Sequence, residues 1–130
     1  MSEYEDLQNG IKDLEVGRVE SIHFPFNENA THITIETDEF TSICPRTGMP
    51  DFGKITVQYL PDDKIVELKS FKLYLQRYRN IGIFQENAVN KILNDLVKSC
   101  SPKFMVVIGE FNTRGGLKTR VSARFERLKS

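Results

Sequence analysis

The stretch ELKSFKLYLQRYRNIGIFQENAVNKILNDLVKSCSP, residues 67–102, decides the fold, because its hydrophobic spacing is helical while the segments around it alternate. Leu68, Phe71, Leu75 and Tyr78 recur at helical intervals, with Lys69, Lys72, Gln76 and Arg79 as the adjoining polar stripe. After a break at Asn80-Ile81-Gly82, the residues Val89, Ile92, Leu93, Leu96 and Val97 mark a second amphipathic helix, which Ser101-Pro102 ends. Upstream, His32-Ile33-Thr34-Ile35-Glu36 and Ile55-Thr56-Val57-Gln58-Tyr59 alternate with period two and predict half-buried strands. Arg18 to Phe24 adds a shorter strand that Pro25 ends. Downstream, Phe104 to Ile108, a loop at Asn112 to Gly116, and the alternating Val121, Ala123 and Phe125 predict a hairpin. The order strand, strand, helix, helix, strand, strand gives an α+β class, a four-stranded antiparallel sheet with two helices on one face. Such a sheet has two open edges, and long edges are rarely left unpaired, so edge-to-edge assembly of subunits is expected.

A chain of 130 residues suits one domain, residues 1–130, and excludes separate cofactor and substrate domains side by side. With 18 basic and 18 acidic side chains the net charge is zero, which argues against nonspecific binding of nucleic acid. The charge is unevenly placed. Residues 1–16 carry Glu3, Glu5, Asp6, Asp13 and Glu15 against Lys12, and are expected to form a mobile acidic arm. Residues 114–130 reverse the sign, with Arg114, Lys118, Arg120, Arg124, Arg127 and Lys129 against Glu126. Cys44 and Cys100 are far apart, without the spacing of a disulfide scaffold or zinc module, and reduced thiols are the simplest reading. No signal-peptide pattern and no bilayer-length apolar run are present, so a soluble cytoplasmic protein with no membrane partner is expected.

Cys44 is the first candidate for chemistry. Cysteine is usually a small buried hydrophobe. This one, however, lies in a loop, Ser42 to Gly53, that holds two prolines and two glycines, with Arg46 nearby to favour thiolate and Asp51 seven residues on. A free thiol is only about 3% ionised at pH 7, whereas a pKa near 7 would make it about half ionised. Cys100, at a helix end, has no comparable setting and receives no role. Glu86 opens the second helix, where a carboxylate either complements the macrodipole or accepts paired N–H donors from a purine-like edge. Lys69 and Lys72 are either a solvated face or, with Arg114, a grip for the phosphates of a nucleotide. The two histidines, His23 and His32, lack ligand spacing, and no metal is implied.

Four motifs in order then carry a resemblance: Cys44-Pro45-Arg46-Thr47-Gly48-Met49-Pro50-Asp51-Phe52, Glu67-Leu68-Lys69-Ser70-Phe71-Lys72-Leu73-Tyr74, Tyr78-Arg79-Asn80 leading to Glu86-Asn87, and Phe111 to Gly116. Over residues 30–126 the sequence resembles the short, single-module NADPH-dependent 7-cyano-7-deazaguanine reductases. That resemblance implies a tunnelling fold (T-fold) in which subunits join into a barrel with sites between them. It implies reduction of a nitrile to a primary amine in queuosine biosynthesis, with NADPH as cofactor, a free 7-deazaguanine as substrate and no direct nucleic-acid partner. By motif position it implies Cys44 as the nucleophile of a covalent thioimide and Asp51 as proton donor. Val66, Glu67, Leu68, Gln85 and Glu86 would bind substrate, and Lys69, Ser70, Lys72 and Arg114 would bind NADPH. One position departs from the family pattern, Gln85 standing where His is usual; glutamine hydrogen-bonds but does not exchange a proton near neutral pH. Two other readings stand beside it: an amidinotransferase of the same scaffold acting on nitrile-bearing tRNA, and a non-catalytic binder of a purine-like ligand. The intact octapeptide Glu67 to Tyr74 favours reduction over the first. A zinc-dependent cyclohydrolase of similar fold lacks ligands here.

Overall fold

A computed structural model of the chain describes residues 5–128. The strands are β1 (Ser21–His23), β2 (Ile33–Ile43), β3 (Pro50–Leu60), β4 (Lys64–Val66), β5 (Phe104–Phe111) and β6 (Arg120–Glu126). The helices are α1 (Leu68–Arg77) and α2 (Gln85–Cys100), joined through a 3-10 turn at Tyr78–Asn80. One antiparallel sheet has the order β2-β3-β5-β6, and β1 pairs with β4 in a separate two-stranded ribbon. The α+β class and the four-stranded sheet agree with the expectation. The ribbon adds β4, which three residues between the Asp62-Asp63 pair and a helix could not announce by period.

Alternation sends Ile55, Val57 and Tyr59 of β3 and Met105, Val107 and Phe111 of β5 into the core, where they meet Val89, Ile92, Leu93 and Leu96 of α2. On α1 the buried set is Phe71, Tyr74 and then Tyr78, while Leu68 is exposed. The expected stripe thus keeps Phe71, Tyr78 and the partly buried Leu75, loses Leu68, and gains Tyr74, whose hydroxyl finds Tyr78 at 2.8 Å and Asp95 at 2.5 Å. An aromatic can be buried here because its polar tip is satisfied.

Phe111 closes the sheet at the end that matters below. Its ring lies over Gly53 and Gly109, where an added Cβ would come within 2.8 Å and 2.7 Å of ring carbons. Both glycines therefore serve close approach, and the ring fills the space their missing side chains leave.

Two sequence expectations change. β2 and β3 run longer than their alternating cores, so the loop between them shortens to residues 44–49 and Asp51, Phe52 and Gly53 stand in a strand. The amino-terminal arm is docked where it is described: Ile11 and Leu14 pack on the core, Val16 is buried, and Lys91 Nζ donates to the Lys12 carbonyl at 3.2 Å. Apolar residues every few positions give that arm something to bury despite its charge. Residues 1–4, with Glu3, lie outside the described residues. Among the described residues no helix is long and apolar enough to cross a membrane.

Candidate active site

The hairpin between β2 and β3 fixes the position of Cys44, the expected nucleophile. The Cys44 N–H donates to the Met49 carbonyl at 2.8 Å and the Gly48 N–H donates to the Cys44 carbonyl at 2.9 Å, closing a tight turn. Gly48 sits at φ 71, a left-handed backbone that suits glycine. Burial pushes the Cys44 thiol up, but hydrogen bonds from the Thr47 hydroxyl and from the Thr47 and Arg46 N–H groups outweigh it, and the thiol ends below its ordinary value. Hydrogen bonding to the sulfur, in which Thr47 takes the leading part, supplies what the sequence reading assigned to the charge of Arg46. Cys100 is the opposite case: fully buried, with desolvation pushing its thiol up to about 11.

Asp51 faces the core side of β3, opposite Ser42 on β2, and is only 6% exposed. Burial raises its carboxyl above the usual range. The Arg114 charge and a hydrogen bond from the Gln85 side chain pull it back in part, and the Glu86 charge adds to the rise. Arg114 Nε approaches Asp51 Oδ1 to 3.3 Å. That arginine is aimed by a two-residue turn, Gly115 at φ 55 and Gly116 at φ 82, with Arg114 and Leu117 exchanging both backbone hydrogen bonds at 2.8 Å.

Gln85 and Glu86 reach the same place because the segment before α2 is tied to β2. The Ile43 N–H donates to the Ile81 carbonyl at 2.9 Å, and the Ile83 N–H donates to the Ile43 carbonyl at 3.0 Å. Ile43 is the residue before Cys44, so one short parallel bridge brings the first turn of α2 beside the thiol's hairpin. Cys44, Asp51, Gln85, Glu86 and Arg114 therefore gather at one end of the sheet.

Val66, Glu67 and Leu68 do not. The Val66 N–H donates to the Tyr59 hydroxyl at 3.0 Å, at the far end of β3 from Asp51. Eight residues of strand separate Asp51 from Tyr59, roughly 27 Å. There the Glu67 carboxylate caps α1, accepting from the Lys69 and Ser70 N–H groups at 3.0 and 2.6 Å, which holds its pKa below the ordinary value. Ser70 Oγ donates to the Glu67 carbonyl at 2.9 Å and accepts from the Glu20 N–H at 2.8 Å. Lys72 instead lines a groove of about 770 Å³ between α1 and β2, together with Arg79, Leu68, Phe71 and Phe52. Arg79 and Thr47 were absent from the sequence candidates; a third cation on the polar stripe that runs from α1 into the 3-10 turn and a hydroxyl three residues after a loop cysteine were the signals available.

Residues 50–130 match the sequence model of the family described as QueF-like protein. The chain belongs to this family. It is 52% identical over 118 residues to the NADPH-dependent 7-cyano-7-deazaguanine reductase of Caldicellulosiruptor bescii, covering 91% of this chain and 90% of that protein. Enzymes of the same name from Thermomicrobium roseum and Elusimicrobium minutum are 55% identical over 109 residues and 57% identical over 95 residues. They cover 84% and 73% of this chain and 85% and 72% of their own. The apo crystal structure of the archaeosine synthase QueF-Like has a TM-score of 0.71 at 20% identity, with 78% of this chain and 99% of that one covered, and establishes the shared subunit fold.

Proposed function

We propose that this chain is an NADPH-dependent 7-cyano-7-deazaguanine reductase, converting the nitrile of a free 7-deazaguanine to an aminomethyl group in the route to queuosine. The observation that carries the reading is the pairing of an acid-shifted thiol, Cys44, with a buried carboxyl of raised pKa, Asp51, in a chain about half identical to enzymes of that name. Addition to a nitrile needs a thiolate and a proton donor, and the two shifts run in the directions that favour them. The Cys44 sulfur adds to the nitrile carbon, one π pair of the C≡N bond moves to nitrogen, and the proton held by Asp51 completes a thioimide. The Asp51 carboxylate so formed faces Arg114, and the hydrogen bonds from Thr47 and the hairpin N–H groups stabilise the sulfur again when the C–S bond breaks. Glu86 accepts N–H donors of the ring. Gln85 holds the Asp51 carboxyl by a hydrogen bond and cannot titrate, so proton traffic falls to Asp51 and water. A Gln85→His variant with an unchanged rate of thioimide reduction would reduce that position to a purely spatial role.

The groove beside α1 has a cationic wall and an apolar floor suited to a dinucleotide: Lys72 and Arg79 offer cations for phosphates and Leu68, Phe71 and Phe52 offer apolar walls for a ring, while Glu36, paired with Lys54, and Glu39 on the β2 side keep phosphates to the α1 side. Two NADPH, bound in turn, would each supply one of the two hydrides that take the carbon from thioimide to amine. Lys69 and Lys72 would hold each. Ser70 supports the start of α1 that carries both lysines, and Arg114 serves Asp51 as well as a phosphate.

The reading includes a homo-oligomer. Val66 to Leu68 lie at the far end of the sheet from Cys44, so a site using both needs a second copy. The open edges are complementary: β2 carries Glu36, Asp38 and Glu39, while Lys118, Arg120, Arg124 and Arg127 lie on or beside β6. Opposite edges of opposite charge favour head-to-tail pairing that closes into a ring.

The test is to add 7-cyano-7-deazaguanine, record the intact mass, and follow the absorbance of added NADPH. A Cys44-dependent adduct with NADPH oxidation is expected. An adduct without oxidation would point to the amidinotransferase, and no adduct to a binder.

A further inference from the structure

Gln8 lies in the 3-10 turn Glu5–Gln8, far in sequence from every motif above, yet it touches the start of α2. Its Oε1 accepts both the Phe84 N–H and the Asn87 side-chain amide, each at 3.0 Å, and its Nε2 lies 3.4 Å from the Gly82 carbonyl oxygen as a donor. Phe84 is the residue at the N-cap of α2 and makes no side-chain cap. The acceptor that Ser or Asp would supply locally comes instead from the amino-terminal arm. On the other side the same segment is bonded to Ile43 through Ile81 and Ile83. Residues 81–87 are thus clamped between the end of β2, one residue from Cys44, and Gln8.

We propose that Gln8 is a positioning residue for substrate recognition, fixing the first turn of α2 and so setting Gln85 and Glu86 against the Cys44 hairpin. The proposal rests on the reading of Glu86 as the ring anchor. It does not make Gln8 the arm's main attachment. Ile11, Leu14 and Val16 pack on the core and Lys12 holds Lys91, so the arm stays docked without the glutamine.

The experiment titrates the whole chain with 7-cyano-7-deazaguanine in the absence of NADPH and follows the Cys44 adduct by intact mass, alongside thermal unfolding. Loss of two acceptor bonds in Gln8→Ala is expected to raise the half-saturating concentration about tenfold, with the full adduct still reached at saturation. Gln8→Glu keeps the accepting oxygen and is expected to recover most of that loss. Asn87→Ala removes one bond from the other side and is expected to shift the titration by about threefold, giving a second reading if Gln8→Ala folds poorly. A Gln8→Ala titration that overlays wild type, or a Gln8→Glu variant as impaired as Gln8→Ala, overturns the proposal. If the wild type forms no adduct, or Glu86→Gln leaves the titration unmoved, the parent reading falls and this one with it. A wild-type adduct that Glu86→Gln weakens and Gln8→Ala does not would sink this inference alone.

Discussion

Replacing Asp51 by asparagine is expected to move activity and stability in opposite directions. The residue is 6% exposed, and burial raises its carboxyl despite the Arg114 charge and the Gln85 hydrogen bond. An acid with a raised folded pKa loses folding stability as pH climbs from its unfolded value, near 3.8, through its folded value, because only the unfolded chain ionises it freely. Above the unfolded value Asp51 therefore subtracts from stability. Asparagine removes that penalty and gives up the ion pair with Arg114, whose side chain is 48% exposed, so the pair is worth at most about 1 kcal/mol after solvent screening. Because burial outweighs the pair, the net is a gain. Tm therefore rises, and at about 2.1 cal/mol/K per residue the unfolding entropy of this chain is about 0.27 kcal/mol/K, so each 1 kcal/mol gained shows as about 4 °C. NADPH oxidation in the presence of nitrile falls by about 10² to 10⁴, the usual contribution of a positioned general acid. Scanning calorimetry and a steady-state assay on the same preparation decide it. A Tm lowered by several degrees would make Asp51 structural cement, and activity within about tenfold of wild type would remove it from the proton path.

Thr47→Ala removes the largest contribution holding the Cys44 thiol down, so alkylation of Cys44 by iodoacetamide at neutral pH is expected to slow severalfold and its pH profile to move upward; Cys100, buried and shifted the other way, stays unmodified in the same mass spectra. Gly53→Ala would set a Cβ 2.8 Å from the Glu110 carbonyl oxygen and from a Phe111 ring carbon. Overpacking of that kind costs about 1–3 kcal/mol, about 4–11 °C in Tm, and an unchanged melting curve would contradict the close approach. Glu67 has a depressed pKa, so its capping contribution is complete above about pH 4.5 and fades as pH falls through the lowered value. The stability gap between wild type and Glu67→Ala should accordingly close on acidification; a gap constant with pH would mean the charge contributes nothing to the cap.

Much of the fold was legible because it rests on period. Alternation in β3 and the i, i+3, i+4 spacing in α2 are imposed by burying one face, and they survive any detail of packing. Where the burial partner decides, the reading slipped: Leu68 is exposed and Tyr74 joins Phe71 and Leu75 on the inner face of α1 because Asp95 and Tyr78 satisfy its hydroxyl, which no periodicity encodes. The acidic arm looked free by charge, yet Ile11, Leu14 and Val16 are enough to dock it. The candidate site divided in the same way. Cys44 and Asp51 were nominated from a turn-rich loop, but Thr47, which contributes most to lowering the thiol, and Gln8, which caps α2, act through hydrogen bonds across space.

The sequence by itself determined the order of strands and helices and nominated Cys44, Asp51 and Glu86 as candidates for chemistry, since residue type and hydrophobic period are local properties. Only the tertiary structure decided who meets whom. It brought Gln85, Glu86 and Arg114 to Asp51, because Ile43 bridges to Gly82 and a Gly-Gly turn aims the arginine. It also kept Glu67 at the far end of β3, because Tyr59 holds Val66 there. Those distances follow from strand register and cross-chain hydrogen bonds, which depend on pairs of residues far apart in sequence and leave no periodic trace within either one.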